Sequence, residues 1–192
     1  MHCPGCPQTK IGTDFLMIDI AVAYNRYRFL GNSFLTWIWF VIETDPYQFR
    51  KADPDCAGLE IGNRMVLENR WANGKEIITI KGDSAGLEEA QLALSKGAAV
   101  TDINLVYKSG DLQWHFSLKG ESLSFSGLKL PETAPIEQSE DLDAAVIDKI
   151  FLYGKPLEFI DQLYRHFIQL RLSDQWHQTV SEMKKWIQSA PS

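Results

Sequence analysis

From residue 99 to residue 125 polar and apolar side chains alternate with few breaks, a pattern that suits half-buried antiparallel strands and little else. Ser109-Gly110 can close a two-residue hairpin. Pairing across it sets Tyr107 against Leu112, Leu105 against Trp114, Ile103 against Phe116 and Thr101 against Leu118. All but Thr101 are apolar, and all share one face. The opposite face collects Asp102, Asn104, Lys108, Asp111, His115 and Ser117. A second turn at Gly120-Glu121 puts Leu118 against Leu123 and Phe116 against Phe125. A one-residue slip would turn the apolar set to water, so the facing of each strand is strongly specified.

The same logic runs through residues 64–81. Asn73-Gly74 is a turn signal. Pairing Arg70 with Lys75 gives Met65, Leu67, Ile78 and Ile80 a common core face. Arg64, Arg70, Lys75 and Lys81 then fall on the other face, with Glu68, Val66, Ile77 and Thr79. Residues 59–61 form a short strand ahead of this pair. Leu87, Ala90 and Leu94 have helical spacing, and Gly97 is placed to end that helix. The expectation is an α+β fold: an antiparallel sheet of two three-stranded meanders joined by a helix (βββ-α-βββ), with the helix over its apolar side.

Helical patterns flank the sheet. Thr13-Asp14 can cap a helix that turns Phe15, Ile18 and Val22 inward, and Asn32 or Ser33 can cap a second. Residues 34–42 are apolar almost all round, so that helix is expected in the core or in a subunit contact. Residues 45–58 read as a loop. Beyond an acidic connection at 132–140, three helices are expected: one carrying Leu142, Ala145, Val146, Lys149 and Ile150, one opened by Pro156, and one capped by Ser173. The division is a flexible 1–12, a sheet domain with N-terminal helices at 13–131, and a helical subdomain at 132–192 packed on it.

Chemistry is sought largely in vain. There is no phosphate-binding glycine loop, nucleophile elbow or His-Glu-x-x-His run. Cys3-Pro4-Gly5-Cys6 is half of a zinc site that only His2 and the distant Cys56 could complete, so an incidental pair of thiols is the expectation. Asp55 with Glu68-Asn69-Arg70 loosely resembles a restriction-type nuclease, which would need lysine at Arg70. No apolar run reaches the roughly 18 residues of a membrane span. The N-terminus has no basic region leading into an apolar core, and three cysteines make no disulfide framework, so a reducing cytoplasm is the expected compartment. No cofactor or metal is expected. Net charge is −6, which is no whole-chain footprint for nucleic acid but leaves room for a local basic patch. Arg64, Arg70, Lys75 and Lys81 are that patch and the candidate phosphate contacts.

Three phrases carry a resemblance: Arg28-Phe-Leu-Gly-Asn-Ser-Phe-Leu-Thr-Trp-Ile-Trp39, Ser126-Gly-Leu-Lys-Leu-Pro131 and Leu170-Arg-Leu-Ser-Asp-Gln-Trp176. With the helix-to-strand passage 87–102 they look like the C-terminal half of the bacterial recombination-associated RdgC family, over residues 26–176. The resemblance implies a cytoplasmic, nucleoid-associated, non-enzymatic protein that binds double-stranded DNA without sequence preference. It also implies a ring-like homodimer that restrains recombinase filaments. The alternative expectation is a protein-interaction or dimerisation module built on the all-apolar 34–42 helix or on the C-terminal helices. A metal-dependent nuclease using Asp55 and Glu68 is the third.

Overall fold

The computed structural model describes residues 20–71, 74–82, 84–132 and 142–189, with side chains from Leu30 onward except 84–86 and 142–145. In chain order come α1 (Ile20–Thr44), a 3₁₀ turn (Pro46–Lys51), β1 (Cys56–Trp71), β2 (Gly74–Lys81) and α2 (Ser84–Ser95). β3 (Ala99–Ser109), β4 (Leu112–Lys119), β5 (Ser124–Lys129), α3 (Leu142–Arg171) and α4 (Trp176–Gln188) follow. The fold is α+β, with one five-stranded antiparallel sheet ordered β2-β1-β3-β4-β5 and helices at both ends.

The expected six strands are five. Residues 59–61 do not form a strand of their own but open β1, whose pairing with β3 shifts register between Ile61 and Met65. A bulge of this kind lets one strand turn while keeping both halves paired. The β1–β2 register is the expected one, with Arg64 opposite Lys81, Met65 opposite Ile80 and Arg70 opposite Lys75. In the β3–β4 hairpin the faces are as expected but the partners move by one pair: Tyr107 faces Trp114, Leu105 faces Phe116 and Ile103 faces Leu118. The loop is therefore Gly110-Asp111. Gly110, at φ +55°, takes the first loop position, where this left-handed conformation is free for glycine. The next turn is longer than expected, so that Leu118 faces Phe125.

The N-terminal helices are also one. Residues Phe15 and Ile18 lie outside the described residues, but α1 runs unbroken past Asn32 and Ser33 to Thr44. Gly31 does not end a helix. It lets α1 touch the β4–β5 turn: a Cβ there would lie 1.7 Å from the Gly120 carbonyl oxygen. The apolar 34–42 stretch is then spent inside this chain. Phe34, Leu35, Trp37, Ile38, Trp39 and Val41 are buried against β3 and α3, which removes it as a surface for a partner. α1, rather than α2, is the main cover of the sheet, while α2 tucks Ala90, Ala93 and Leu94 against the β1–β2 end and α4.

At the C-terminus three expected helices are two. Pro156 sits inside α3 instead of starting a helix. Its missing N–H leaves the Leu152 carbonyl without its helical donor. The indole N–H of Trp114, on β4, donates to that carbonyl at 2.8 Å. The helix thus continues because the sheet supplies what proline removes. Phe159 stacks on Tyr107 at 4.1 Å between ring centroids, and Phe167 packs on Phe34 and Trp37. Each such aromatic pair adds about 0.5–1.5 kcal/mol beyond its buried area. Ser173 does not cap α4; its hydroxyl donates to the Leu170 carbonyl, and Gln175 precedes the helix.

Candidate functional site

With α1 and α3 on one side, the other side of the sheet carries its polar face. Strand alternation and the observed register put Lys75 and Lys81 of β2, Arg64 and Arg70 of β1, Lys108 of β3, Lys119 of β4 and Lys129 of β5 on this open side. Against these seven cations the same strands place three carboxylates there, Glu60, Glu68 and Asp102. The face is thus locally positive on a chain of net charge −6. The four cations expected from the sequence come together as two cross-strand pairs, Arg64 with Lys81 and Arg70 with Lys75. Six residues separate the pairs, about 20 Å of strand.

The cations differ in freedom. Arg64 lies 3.5 Å from the Asp102 carboxylate, Lys108 donates to Glu60 at 2.6 Å, and Arg70 donates to Glu68. The exposed Lys108–Glu60 pair contributes only about 0.2–1 kcal/mol, whereas Arg64 and Arg70 are exposed cations on carboxylates that are themselves largely buried. Lys108, Lys119 and Lys129 were not among the sequence candidates. Strand parity already places Lys108 on the polar face and extends to Lys119 and Lys129, but only the β1–β2 ribbon concentrates cations enough to stand out in the sequence.

Where β1, β3 and β4 meet the α1 contact, a cleft of about 400 Å³ opens, lined by Asn32, Arg64, Glu68, Arg70, Asp102, Lys119 and Glu121 among others. Asp102 is buried, opposite Val66 and Lys119, and its Oδ1 has no hydrogen-bond donor. Positive and negative groups alternate around this cleft. His115 faces the open side, with its ring hydrogen-bonded to Gln113 at 2.7 Å.

A second polar cluster lies on the covered side. Asp53, which the sequence left in a featureless loop, is buried and accepts four hydrogen bonds: from the Tyr107 hydroxyl, the Ser109 hydroxyl at 2.6 Å, the Lys155 ammonium at 3.0 Å and the Asp55 backbone N–H at 3.2 Å. Burial works to raise its pKa, but the four donors outweigh it and hold the carboxyl at about 2. Burial together with the hydrogen bond to Asp53 pushes the Tyr107 hydroxyl above its usual range. Every lone-pair direction of this carboxylate is engaged, so it ties the 45–58 segment, β3 and α3 together rather than offering a base to a substrate. No sequence signal could have joined Asp53 to Lys155.

The nuclease residues do not assemble. Asp55 lies just before β1 beside Gly110, and Glu68 lies near the other end of that strand. Thirteen residues of strand put them on the order of 40 Å apart. Among the described residues no group of three or more His, Cys, Asp or Glu side chains could hold a metal ion. Cys56 is a buried free thiol whose pKa burial raises, and Cys3, Cys6 and His2 lie outside the described residues. Among the described residues no helix is long and apolar enough to cross a membrane. No family model, curated protein or solved structure matches the chain.

Proposed function

We propose that the open sheet face binds double-stranded DNA through its phosphates, without reading sequence and without catalysis. As the resemblance to the recombination-associated family implies, the protein would act as a homodimer that limits recombinase access to DNA. The observation that carries this reading is the excess of seven cations over four carboxylates, Glu121 of the β4–β5 turn included, on a sheet face that no described helix covers in an otherwise acidic chain. Lys75 and Lys81 are the strongest contacts, since they stand on the edge strand. Arg64 and Arg70 must first leave Asp102 and Glu68.

Fluorescence anisotropy of a labelled duplex at several salt concentrations tests it. Four phosphate contacts give a log–log slope of about −3.6, or about 150-fold weaker binding between about 50 and about 200 mM salt. Neutralising Arg64, Arg70, Lys75 and Lys81 to glutamine should remove about 2 to 3.6 units of slope. No binding at about 50 mM salt, or a variant that binds with the wild-type slope, rejects the reading. The second reading is a protein-interaction module that kept the fold and lost DNA. It is favoured by the carboxylates set among the cations and by the apolar surface of α3, and it predicts self-association that salt does not weaken.

A further inference from the structure

α3 has two apolar faces. Leu152, Pro156, Phe159, Ile160, Leu163 and Phe167 form the one that enters the core. The other is exposed: Val146, Ile147, Ile150, Phe151, Tyr153 and Leu157 are between 47% and 65% accessible. At about 100° per residue these six occupy one arc of roughly 160°, centred roughly 150° from the core face. Glu158 lies near one edge of the arc, and Asp161 and Arg165, ion-paired at 2.7 Å, close it towards the C-terminal end of the helix. Near the centre of the arc lies Gly154. A Cβ there would meet none of the described residues within 4 Å. Glycine inside a helix costs stability relative to alanine, and no contact among the described residues requires it. A second backbone passing close would.

We infer that this face is the interface between two copies of the chain, packed as antiparallel α3 helices about a two-fold axis. The inference rests on the homodimer reading above and names its surface. Area argues for a second copy. With side chains of about 150–250 Å² each, the six present roughly 700 Å², close to the roughly 800 Å² per partner of a standard stable interface. That is also more than the roughly 300–600 Å² of the largest apolar patch on most monomers. Shape argues for it too. Beside Phe151 a cavity of about 500 Å³ opens against Leu112 and Trp114, with Asp55, Asp111 and Lys155 also in its lining, so projecting side chains and a recess with a polar rim lie on one surface. A two-fold contact needs both on the same patch, because each copy supplies them to the other.

Sedimentation equilibrium of the full chain from about 1 to about 100 μM tests this in the absence of DNA, so the outcome does not depend on whether the sheet face binds phosphates. The expected result is a monomer–dimer equilibrium that weakens by at least about tenfold in Ile150→Glu and in Phe151→Glu, since each would bury an unpaired carboxylate. Far-ultraviolet circular dichroism should be unchanged. A second readout needs no charged substitution. With Cys3 and Cys6 replaced by serine, Ile150→Cys should form a disulfide-linked dimer on mild oxidation, and Leu172→Cys, exposed but off the stripe, should not. A monomer throughout the range, a dimer indifferent to both glutamates, or equal cross-linking at Leu172→Cys would overturn the inference.

Discussion

Replacing Asp53 by asparagine keeps the shape of the carboxylate and removes only its charge. In the native protein the charge faces the Lys155 ammonium at 3.0 Å and three further donors, in a site only 5% accessible. The folded pKa of about 2 against an ordinary value of 3.8 amounts to about 2.5 kcal/mol of stability at neutral pH. The sign follows from the direction. A depressed carboxyl pKa stabilises the folded state above the unfolded pKa, and the contribution is lost as pH falls from about 4 towards about 2. Asp53→Asn should therefore cost roughly 2–3 kcal/mol at pH 7, and about half of that at pH 3. Asp53→Ala strands all four donors and should cost about 3–5 kcal/mol at pH 7. For a chain of this length about 3 kcal/mol corresponds to a Tm lower by roughly 6–12 °C. Urea unfolding of wild type and both variants at pH 7 and pH 3 measures these differences. An Asp53→Asn penalty that is the same at both pH values would refute the reasoning, because the ionised carboxylate would then not be what holds the three segments together.

Trp114→Phe should cost roughly 1–3 kcal/mol by leaving the Leu152 carbonyl without a donor. Adding Pro156→Ala to it should return part of that loss, and a urea double-mutant cycle showing simple additivity would reject the exchange. Gly31→Ala drives a Cβ into the Gly120 carbonyl at 1.7 Å and should lower Tm by more than 10 °C, roughly; a native melting curve would show that α1 does not touch that turn. If α3 pairs across a two-fold axis, one dimer should hold two duplexes, so a bead-tethered duplex should retain a second, free duplex only when protein is present and Ile150 is unchanged. With duplexes too short to reach both faces, saturation at one duplex per dimer would contradict that geometry.

Strand parity was legible because it is local: every side chain from Tyr107 to Leu118 faces as the alternation requires. Partner choice was less so. Moving the β3–β4 register by one pair keeps every face intact, so the apolar pattern cannot distinguish the two registers. What separates them lies elsewhere, in the Ser109 hydroxyl held by Asp53 and in the glycine conformation at the loop. Asn32, Ser33 and Pro156 misled for one shared reason. All suit a helix start by local rules, and all sit mid-helix because the sheet side makes the position workable, the β4–β5 turn through its close approach at Gly31 and Trp114 by donating to Leu152. The Asp53 cluster was wholly hidden, since its partners lie 54, 56 and 102 residues away. The candidate cations were legible as a ribbon pattern, whereas the pairing of Arg64 with Asp102, 38 residues beyond it, needed the β1–β3 bulge to be known.

The two surfaces lie on opposite sides of one sheet, and that constrains how they act together. Phe159 stacks on Tyr107 from the covered side, and the exposed stripe of α3 points away from that contact. A two-fold axis through the stripe therefore joins the helical layers back to back and turns both cationic faces outward. Such a dimer does not enclose a duplex between its copies; it presents two separated faces to two duplexes or to two parts of one. The charge distribution agrees with that arrangement. Because each open face is positive while the whole chain carries −6, the rest of the chain is net acidic and disfavours DNA. A duplex would be directed to the sheet and held off the helical side, where the apolar contact between copies needs no counterions and should persist at salt concentrations that release the DNA.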